Sequence, residues 1–539
     1  MGRGAVRARE RAAAQRRREA AGDKAMFVAT DPGKRQMGRS AEKRRQKAKA
    51  NRKLSGPSEV KKVVVYSNKE GEDTVELTGG FVNLRYHESL LSNTVRVTYT
   101  WSDTGDTTNN QKAGTNCKNT TTAVDGLPIV GEEKVELEFT DNRGTTLKPI
   151  LYVNKVTELD DEATKSLAKM DLVSKEFITN EKGDSRVEVC YQGKISQHIE
   201  KILTENLKSE KELDIEETGL KNYNFTGNNK KPFWCMNNLS TKASPKGNKP
   251  GNTAGFLLYE TSKGYHFKSL DTLLGQKKKK SAIYNESAKG DDSIPAGYDL
   301  KIYEYVRDNA VNVQGKHMMG AYSTRLISFD PFSCTYGESI CSANTSNGGP
   351  ASGSPGDQKT LSLAGKNFWQ SNKEFDSDMI NKSFTRTTWN VLDTGTLMGG
   401  TTEEQINKSK EENFDITNVF NQSIQRYNQL FGQTSTITVA GDFSLHVGDA
   451  IFIDAPKLEA GKTYENWNKE SGGVYIIADL CHYISPGETY TKLNLVRDSM
   501  GRKGNHTNLP LKDTSSPGDY DYKPPSNVPY RGGIPLKGV

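Results

Sequence analysis

A few stretches of this 539-residue chain carry residue types from which chemistry could be built. Ala460-Gly461-Lys462-Thr463 has the ending of a phosphate-binding loop, but the first glycine of GxxxxGK[ST] falls on Pro456. The intervening Lys-Leu-Glu-Ala cannot supply a nest of N–H groups, so the segment reads as a loop between strands. The seven histidines are isolated from one another and no HExxH occurs, so His446 and His482 read as ordinary strand side chains and not as ligands. No GxSxG elbow is present. The acidic cluster Glu158, Asp160, Asp161 and Glu162 has no companion that would raise a carboxyl pKa, and it reads as the cap and opening of a helix. A glycan hydrolase on a β-rich scaffold would need two converging carboxylates, and no motif picks them out. The cysteines at 117, 190, 235, 334, 341 and 481 lack CxxC spacing. Cys334 and Cys341 could bridge a loop, although reduced, independent thiols fit a chain assembled in cytosol. The expectation is a protein that is not an enzyme, with no catalytic, metal or cofactor-binding residues.

Charge is the sharper signal. Residues 1–53 hold 18 basic and 5 acidic side chains, a net of +13, which leaves 56 basic against 62 acidic in the rest, a net of −6. The basicity belongs to an arm, and the body is mildly acidic. Arg16-Arg17-Arg18 and Lys43-Arg44-Arg45 are candidate polyanion-binding groups that would neutralise phosphates without reading sequence. Phe27 is the arm's one aromatic residue, so the arm would track a backbone and not stack bases. An acidic protein surface, such as that of a neighbouring subunit, is the other candidate partner. Lys277 to Lys280 reads as a solvated loop.

The elements that would carry these residues follow from periodicity. Residues 1–56 are Ala/Arg-rich with almost nothing to bury, and are expected to be a disordered, flexible arm. From 57 to 159 apolar residues alternate in VKKVVVY, TVELTGGFVNLRY, NTVRVTYTW, KVELEF and PILYVNKV, which predicts a β barrel with a polar loop inserted at 103–124. Residues 160–335 mix signals: EATKSLAKMDLVSKEF and GKISQHIEKILTENL are expected helices, and AGFLLYETSKGYHFKSLDTLL reads as two strands turning at Lys263-Gly264, then a short helix. This is an α+β unit with solvated internal loops such as TKASPKGNKPGNT. Residues 336–410 form a linker and irregular segment, with ANTSNGGPASGSPGD as its plainest part. A helix over DITNVFNQSIQRYNQLFG, with Val419, Phe420, Ile424, Tyr427 and Phe431 on one face and Gly432 at its end, opens a second β barrel across 411–503. The Pro/Gly-rich tail 504–539 has no core of its own. No run of 18 apolar residues exists, so no membrane insertion is expected; nor is there an apolar signal segment. At 34% hydrophobic residues, much of this multidomain chain must be loop or polar interface.

Both predicted barrels contain the same short phrase. Val130-Gly131-Glu132 precedes alternating Val135, Leu137 and Phe139, and Val447-Gly448-Asp449 precedes Ile451 and Ile453. In each, the Gly-acid pair suits a tight turn and the alternation places one side-chain set on a buried face. LYVNKVTEL follows the first phrase and VYIIADLCHYI the second, so the two barrels look like copies of one unit.

The second barrel, with GDFSLHVGDAIFIDAP and SGGVYIIADLCHYISPGETYTKLNLVRDS, resembles the central baseplate hub proteins of contractile-tailed bacteriophages, the T-even-like tail hub family. LRYHESLLSNTVRVTYTWSDTG resembles the opening strands of the same family, with Glu88 as the acidic residue before a strand pair ending in Asp, and GFLLYETSKGYHFKSLDTLL resembles its insertion domain. The resemblance covers roughly residues 60–500 through short, degenerate motifs. The basic arm, the Gly/Ser linker and the tail have no counterpart. It implies a homotrimer whose two barrels per chain form a pseudo-sixfold ring, bound to the tail tube, a central spike protein and other baseplate proteins, in a virion tail assembled in the host cytoplasm. Ring and tube contacts would then centre on Val130, Gly131, Glu132, Val447, Gly448 and Asp449, and the basic arm would lie near DNA or a tape-measure protein. The alternative is a basic-tailed nucleic-acid-binding protein whose β domains share the contacts; the net −6 of those domains disfavours it.

Overall fold

The computed structural model describes residues 57–68, 74–104, 122–127, 129–162, 165–219, 223–246, 253–284, 298–308, 312–321, 323–331, 334–342, 384–391, 401–404, 416–455 and 472–498. The basic arm with Arg16–Arg18 and Lys43–Arg45, most of the 103–124 insert, the 343–383 segment, Gly461-Lys462-Thr463 and the tail lie outside them.

The architecture is mainly β, with two barrels and an α+β unit. The first barrel is built from β1 (Glu59–Tyr66), β2 (Thr74–Glu76), β3 (Phe81–Ser89), β4 (Arg96–Asp103), β5 (Lys134–Thr140), β6 (Thr146–Leu147), β7 (Ile150–Glu162) and β8 (Lys165–Val173). Its strands run in the order β1-β5-β7-β8-β4-β3. Period-two burial drives the choice of strand: on β5, Val135, Leu137 and Phe139 are buried while their neighbours are partly exposed.

The α+β unit carries β9 (Cys190–Tyr191), β10 (Leu213–Ile215), β11 (Phe225–Thr226), β12 (Phe256–Thr261) and β13 (Gly264–Ser269). Helices Ile195–Lys201, Pro232–Ser240 and Leu270–Gly275 pack with them, and Ile199, Leu203, Met236, Phe256 and Phe267 form a core separate from that of the barrels. The β12–β13 hairpin turns at Lys263-Gly264, as expected. Gly264 has φ +135°, and a Cβ there would lie 2.2 Å from the Glu212 carbonyl, so the position requires glycine.

The second barrel begins earlier than expected. It takes β14 (Lys280–Tyr284) and β15 (Leu300–Asp308), then receives an insertion, and closes with β19 (Gln433–Ala440), β20 (Ala450–Asp454), β21 (Gly473–Ile484) and β22 (Thr489–Arg497). Its six strands form a closed ring, β21-β20-β14-β15-β19-β22, because β22 pairs again with β21. The insertion holds a three-stranded sheet of β16 (Ser323–Asp330), β17 (Thr335–Ser342) and β18 (Arg386–Val391), of which β18 and nearly all of β17 fall in the segment 336–410 expected to be irregular. Helix Ile416–Leu430 packs against β16 and β17. Its polar side chains are buried too: Asn421 donates to the Ser339 carbonyl at 3.0 Å, and Gln422 accepts from the Ala254 N–H at 3.0 Å.

The helix expected over 162–177 at the domain border, with the acidic cluster as its cap, is mostly strand. Residues 165–173 form β8, hydrogen-bonded to β4 on one side and β7 on the other, and the acidic cluster at 158–162 is the end of β7. Lys, Ala, Leu and Met favour a helix locally, but burial of Ala168, Met170 and Leu172 on one strand face overrides that preference. The first barrel therefore extends to Val173. Cys334 sits in a turn with φ +52° and carries no disulfide, and Cys341 lies seven residues further along extended β17, roughly 23 Å away. That distance rules out the loop bridge. No helix of the described residues is long and apolar enough to cross a membrane.

Candidate functional site

The two barrels correspond strand by strand in order and pairing. Following the register outward from β5 and β20 matches β5, β7, β8, β4 and β3 with β20, β21, β22, β19 and β15, each set in the same chain order. Two irregularities coincide. One extra residue, Asn154, separates Val153 and Lys155 opposite β8, and Ala478 does the same between Ile477 and Asp479 opposite β22. Val82 is extra between Phe81 and Asn83, as Tyr303 is between Ile302 and Glu304. Such bulges are built features of a strand pair. A cross-strand pair repeats as well: Thr98 donates to Asp171 at 3.0 Å, and Thr436, its counterpart, donates to Asn494 at 3.0 Å. The barrels differ in their sixth strand, since β1 runs antiparallel to β5 but β14 runs parallel to β20.

The repeated phrase belongs to this duplication, one residue out of step. Gly448 N–H bonds the Ile477 carbonyl at 2.9 Å, and Ile477 N–H bonds the Asp449 carbonyl at 3.0 Å. In the first barrel Glu132 N–H bonds the Val153 carbonyl at 2.8 Å, and Val153 N–H bonds the Glu133 carbonyl at 3.0 Å. Gly448 therefore corresponds to Glu132, which holds φ +65° against +86° at the glycine. The carboxylates agree: Asp449 accepts from the His446 N–H at 2.8 Å and Glu133 from the Val130 N–H at 2.7 Å, each reaching three residues back. Glu133, and not Glu132, is the acid of the first turn.

The six candidate assembly residues divide. Val130 is 83% exposed and Glu132 is exposed, so the first turn is a surface. Val447 and Gly448 are buried within the chain, against Glu88 and Tyr259, so the second turn is largely an internal joint, with Asp449 partly exposed. Lys279 bonds Asp449 at 2.6 Å, and Lys280 is ion-paired with Asp442. Of the lysine run expected in a solvated loop, Lys280 is the first residue of β14 and is tied into the second barrel, whereas residues 277–279 precede the strand and Lys277 is exposed.

The joint between the barrels is a strand seam. β3 pairs antiparallel with β21, with His87 opposite Cys481, Tyr86 opposite His482 and Arg85 opposite Tyr483. The Arg85 guanidinium lies 5.6 Å from the centre of the Tyr483 ring. Above the seam Glu88 is fully buried and accepts from Tyr86 Oη at 2.7 Å, Val447 N–H at 3.0 Å and Ser262 N–H at 2.9 Å, with His446 Nδ1 at 3.3 Å. Burial pushes the Glu88 carboxyl up, but His446, Tyr86 and Val447 outweigh it and hold its pKa below the ordinary glutamate value. One carboxylate thereby joins the first barrel, the second barrel and the α+β unit.

Other buried charges act in the same way. Asp442 takes Arg143 of the first barrel at 2.9 Å, and Asp141 accepts the Phe443 N–H at 3.0 Å. Glu260 accepts from Val95 N–H at 2.9 Å, Ser174 Oγ at 2.6 Å and Lys211 at 2.7 Å; burial raises its pKa against the opposing pull of Lys211. Arg426 bonds Asp271 at 2.8 Å, joining helix Ile416–Leu430 to the α+β unit. His482 donates or accepts at Thr491 Oγ1, 2.8 Å away, and burial pushes its pKa down to about 3. These groups are engaged with one another, and among the described residues no set of three or more His, Cys, Asp or Glu is arranged to hold a metal. Of them, Glu88 stood out in the sequence only through the family resemblance; Asp141, Asp442 and Glu260 carry no local signal, because their partners lie far along the chain.

No family model matches the chain, and no curated protein does. Among solved structures it is similar to the 43 kDa tail protein of prophage MuSo2 from Shewanella oneidensis, at 9% identity over 81% of this chain and 98% of that one, with a TM-score of 0.41. A tail protein from Neisseria meningitidis MC58 gives 9% identity, 81% and 96% coverage and a TM-score of 0.42. A chain of the phage P2 baseplate in its activated conformation gives 9% identity, 81% and 99% coverage and a TM-score of 0.26.

Proposed function

We propose that this chain is a structural component of a phage tail baseplate, acting as a homotrimeric hub. Three copies would close a ring of six like barrels, one face meeting a sixfold tail tube and the other a threefold central spike. The observation that carries the reading is the duplication: two barrels with the same strand order and the same two bulges, joined edge to edge through β3 and β21. A contact of one kind repeated round a closed ring needs only one kind of barrel surface, and two copies per chain convert threefold symmetry into near-sixfold. In this reading the chain does no catalysis. The exposed turn at Val130, Gly131 and Glu132 is a tube- or neighbour-facing contact, the basic arm meets DNA, a tape-measure protein or an acidic neighbour, and the site of action is the virion tail.

The test is the solution mass of the full-length chain by light scattering, with negative-stain images of the same peak. A trimer with six equal lobes is expected. A monodisperse monomer at every concentration overturns the reading.

A further inference from the structure

We infer that neighbouring copies in the ring are joined by β7 of one copy and β15 of the next, in a register already written inside the chain; the inference rests on the ring reading. Within one chain, the two barrels meet where the C-terminal half of β21 pairs with β3. The counterpart of β21 is β7, and that of β3 is β15. Strand β7 pairs with β5 only at residues 150–152, and among the described residues no strand lies beside Lys155–Leu159 on that edge. Strand β15 pairs with β14 only through Ile302, and among the described residues no strand lies beside Val306 and Arg307 on that edge. An exposed strand edge of this kind is a template for pairing with another chain.

The internal seam fixes which residues would meet. His482 opposite Tyr86 becomes Glu158 opposite Arg307; just beyond Glu158, β7 carries a further extra residue, Leu159, that β21 lacks, and Val306 is the neighbour of Arg307 on the facing edge. The side chains fit this pairing. Glu158 and Arg307 are exposed and of opposite charge. Leu159 and Val306 are apolar and 52% and 43% exposed, and strand pairing would bury both. A second copy of this chain is therefore the occupant, and the same seam, alternately internal and intermolecular, runs round the whole ring.

The test uses the full-length chain. Glu158→Arg and Arg307→Glu, each placing like charges at three seams, should raise the concentration at which trimers dissociate by at least roughly tenfold, and the double variant should restore it. Glu158→Cys with Arg307→Cys should give disulfide-linked copies under mild oxidation, since directly opposed antiparallel residues have Cα atoms about 4.5–5.5 Å apart. Glu158→Cys with Tyr303→Cys, well out of register, should not. A wild-type trimer whose mass is unmoved by either charge reversal and whose in-register cysteines stay reduced overturns the seam while leaving the ring standing. A wild-type monomer with no linked species overturns both.

Discussion

Glu88 and His446 stand 3.3 Å apart across 358 residues of chain, and the same carboxylate accepts the main-chain N–H groups of Val447 and Ser262. One buried side chain therefore holds the second barrel's turn and the α+β hairpin against the first barrel. Glu88→Ala leaves those donors without an acceptor in a dry site. The expected loss is about 3 kcal/mol, against about 1 kcal/mol for Tyr86→Phe, which removes a single bond. Denaturant unfolding measures the loss, and hydrogen exchange should report faster opening of Leu84–Ser89 and residues 479–484 than of β8.

The corresponding turn positions should respond in opposite directions. Gly448→Ala adds a Cβ 2.5 Å from Tyr259 Oη at φ +86°, and is expected to cost about 1–3 kcal/mol. Glu132→Gly relieves a non-glycine residue at φ +65° on an exposed turn, and is expected to raise stability by up to about 1 kcal/mol. Thermal unfolding of the two variants decides it; equal shifts would show that the two turns are not equivalent.

Stability should fall as the solution is acidified below the range of an unfolded histidine. His482 has a folded pKa of about 3 against 6.5 in the unfolded chain, so its stabilisation is fully present above 6.5 and is lost as pH drops from there toward about 3. The slope is at most roughly 1.4 kcal/mol per pH unit from this group. Burial lowers His87, His198 and His266 as well, in the same direction. His482→Gln should flatten the dependence between pH 6.5 and 5 without abolishing it, and an unchanged slope would show that His482 binds protons alike in the folded and unfolded chain.

Arg426 and Asp271 form a buried pair, with Arg426 also donating to Thr253 and the Ala254 carbonyl. Arg426→Met leaves Asp271 buried without its cation and should destabilise by about 3–5 kcal/mol. Adding Asp271→Asn should recover part of that loss. Simple additivity of the two effects in a double-mutant cycle would mean that the pair is not coupled.

Much of the fold was legible because strand burial has a period of two. KVELEF announces its buried face directly, and the amphipathic pattern of Ile416–Leu430 announces a helix. What stayed hidden depended on partners distant in the chain. Helix-favouring residues fill β8, and only pairing on both sides makes it a strand. Strands β14 and β15 belong to a barrel whose remaining strands begin after residue 432. Lys279 and Lys280 look solvated until Asp449 and Asp442 are brought to them. The repeated phrase was visible, but its alignment was one residue out, because matching letters placed Gly131 over Gly448 while the hydrogen bonds place Glu132 there.

The matched bulges imply an asymmetry in what these barrels can tolerate as they diverge. Asn154 and Ala478 are each extra to a ladder whose flanking pairs stay in step, so losing either residue would straighten the strand and leave later side chains on their own faces, whereas replacing either by another residue leaves the bulge in place. Substitution at those two places therefore keeps the bend, and deletion loses it. Two copies of one barrel can drift until almost no letters agree and still bend at the same points of the sheet.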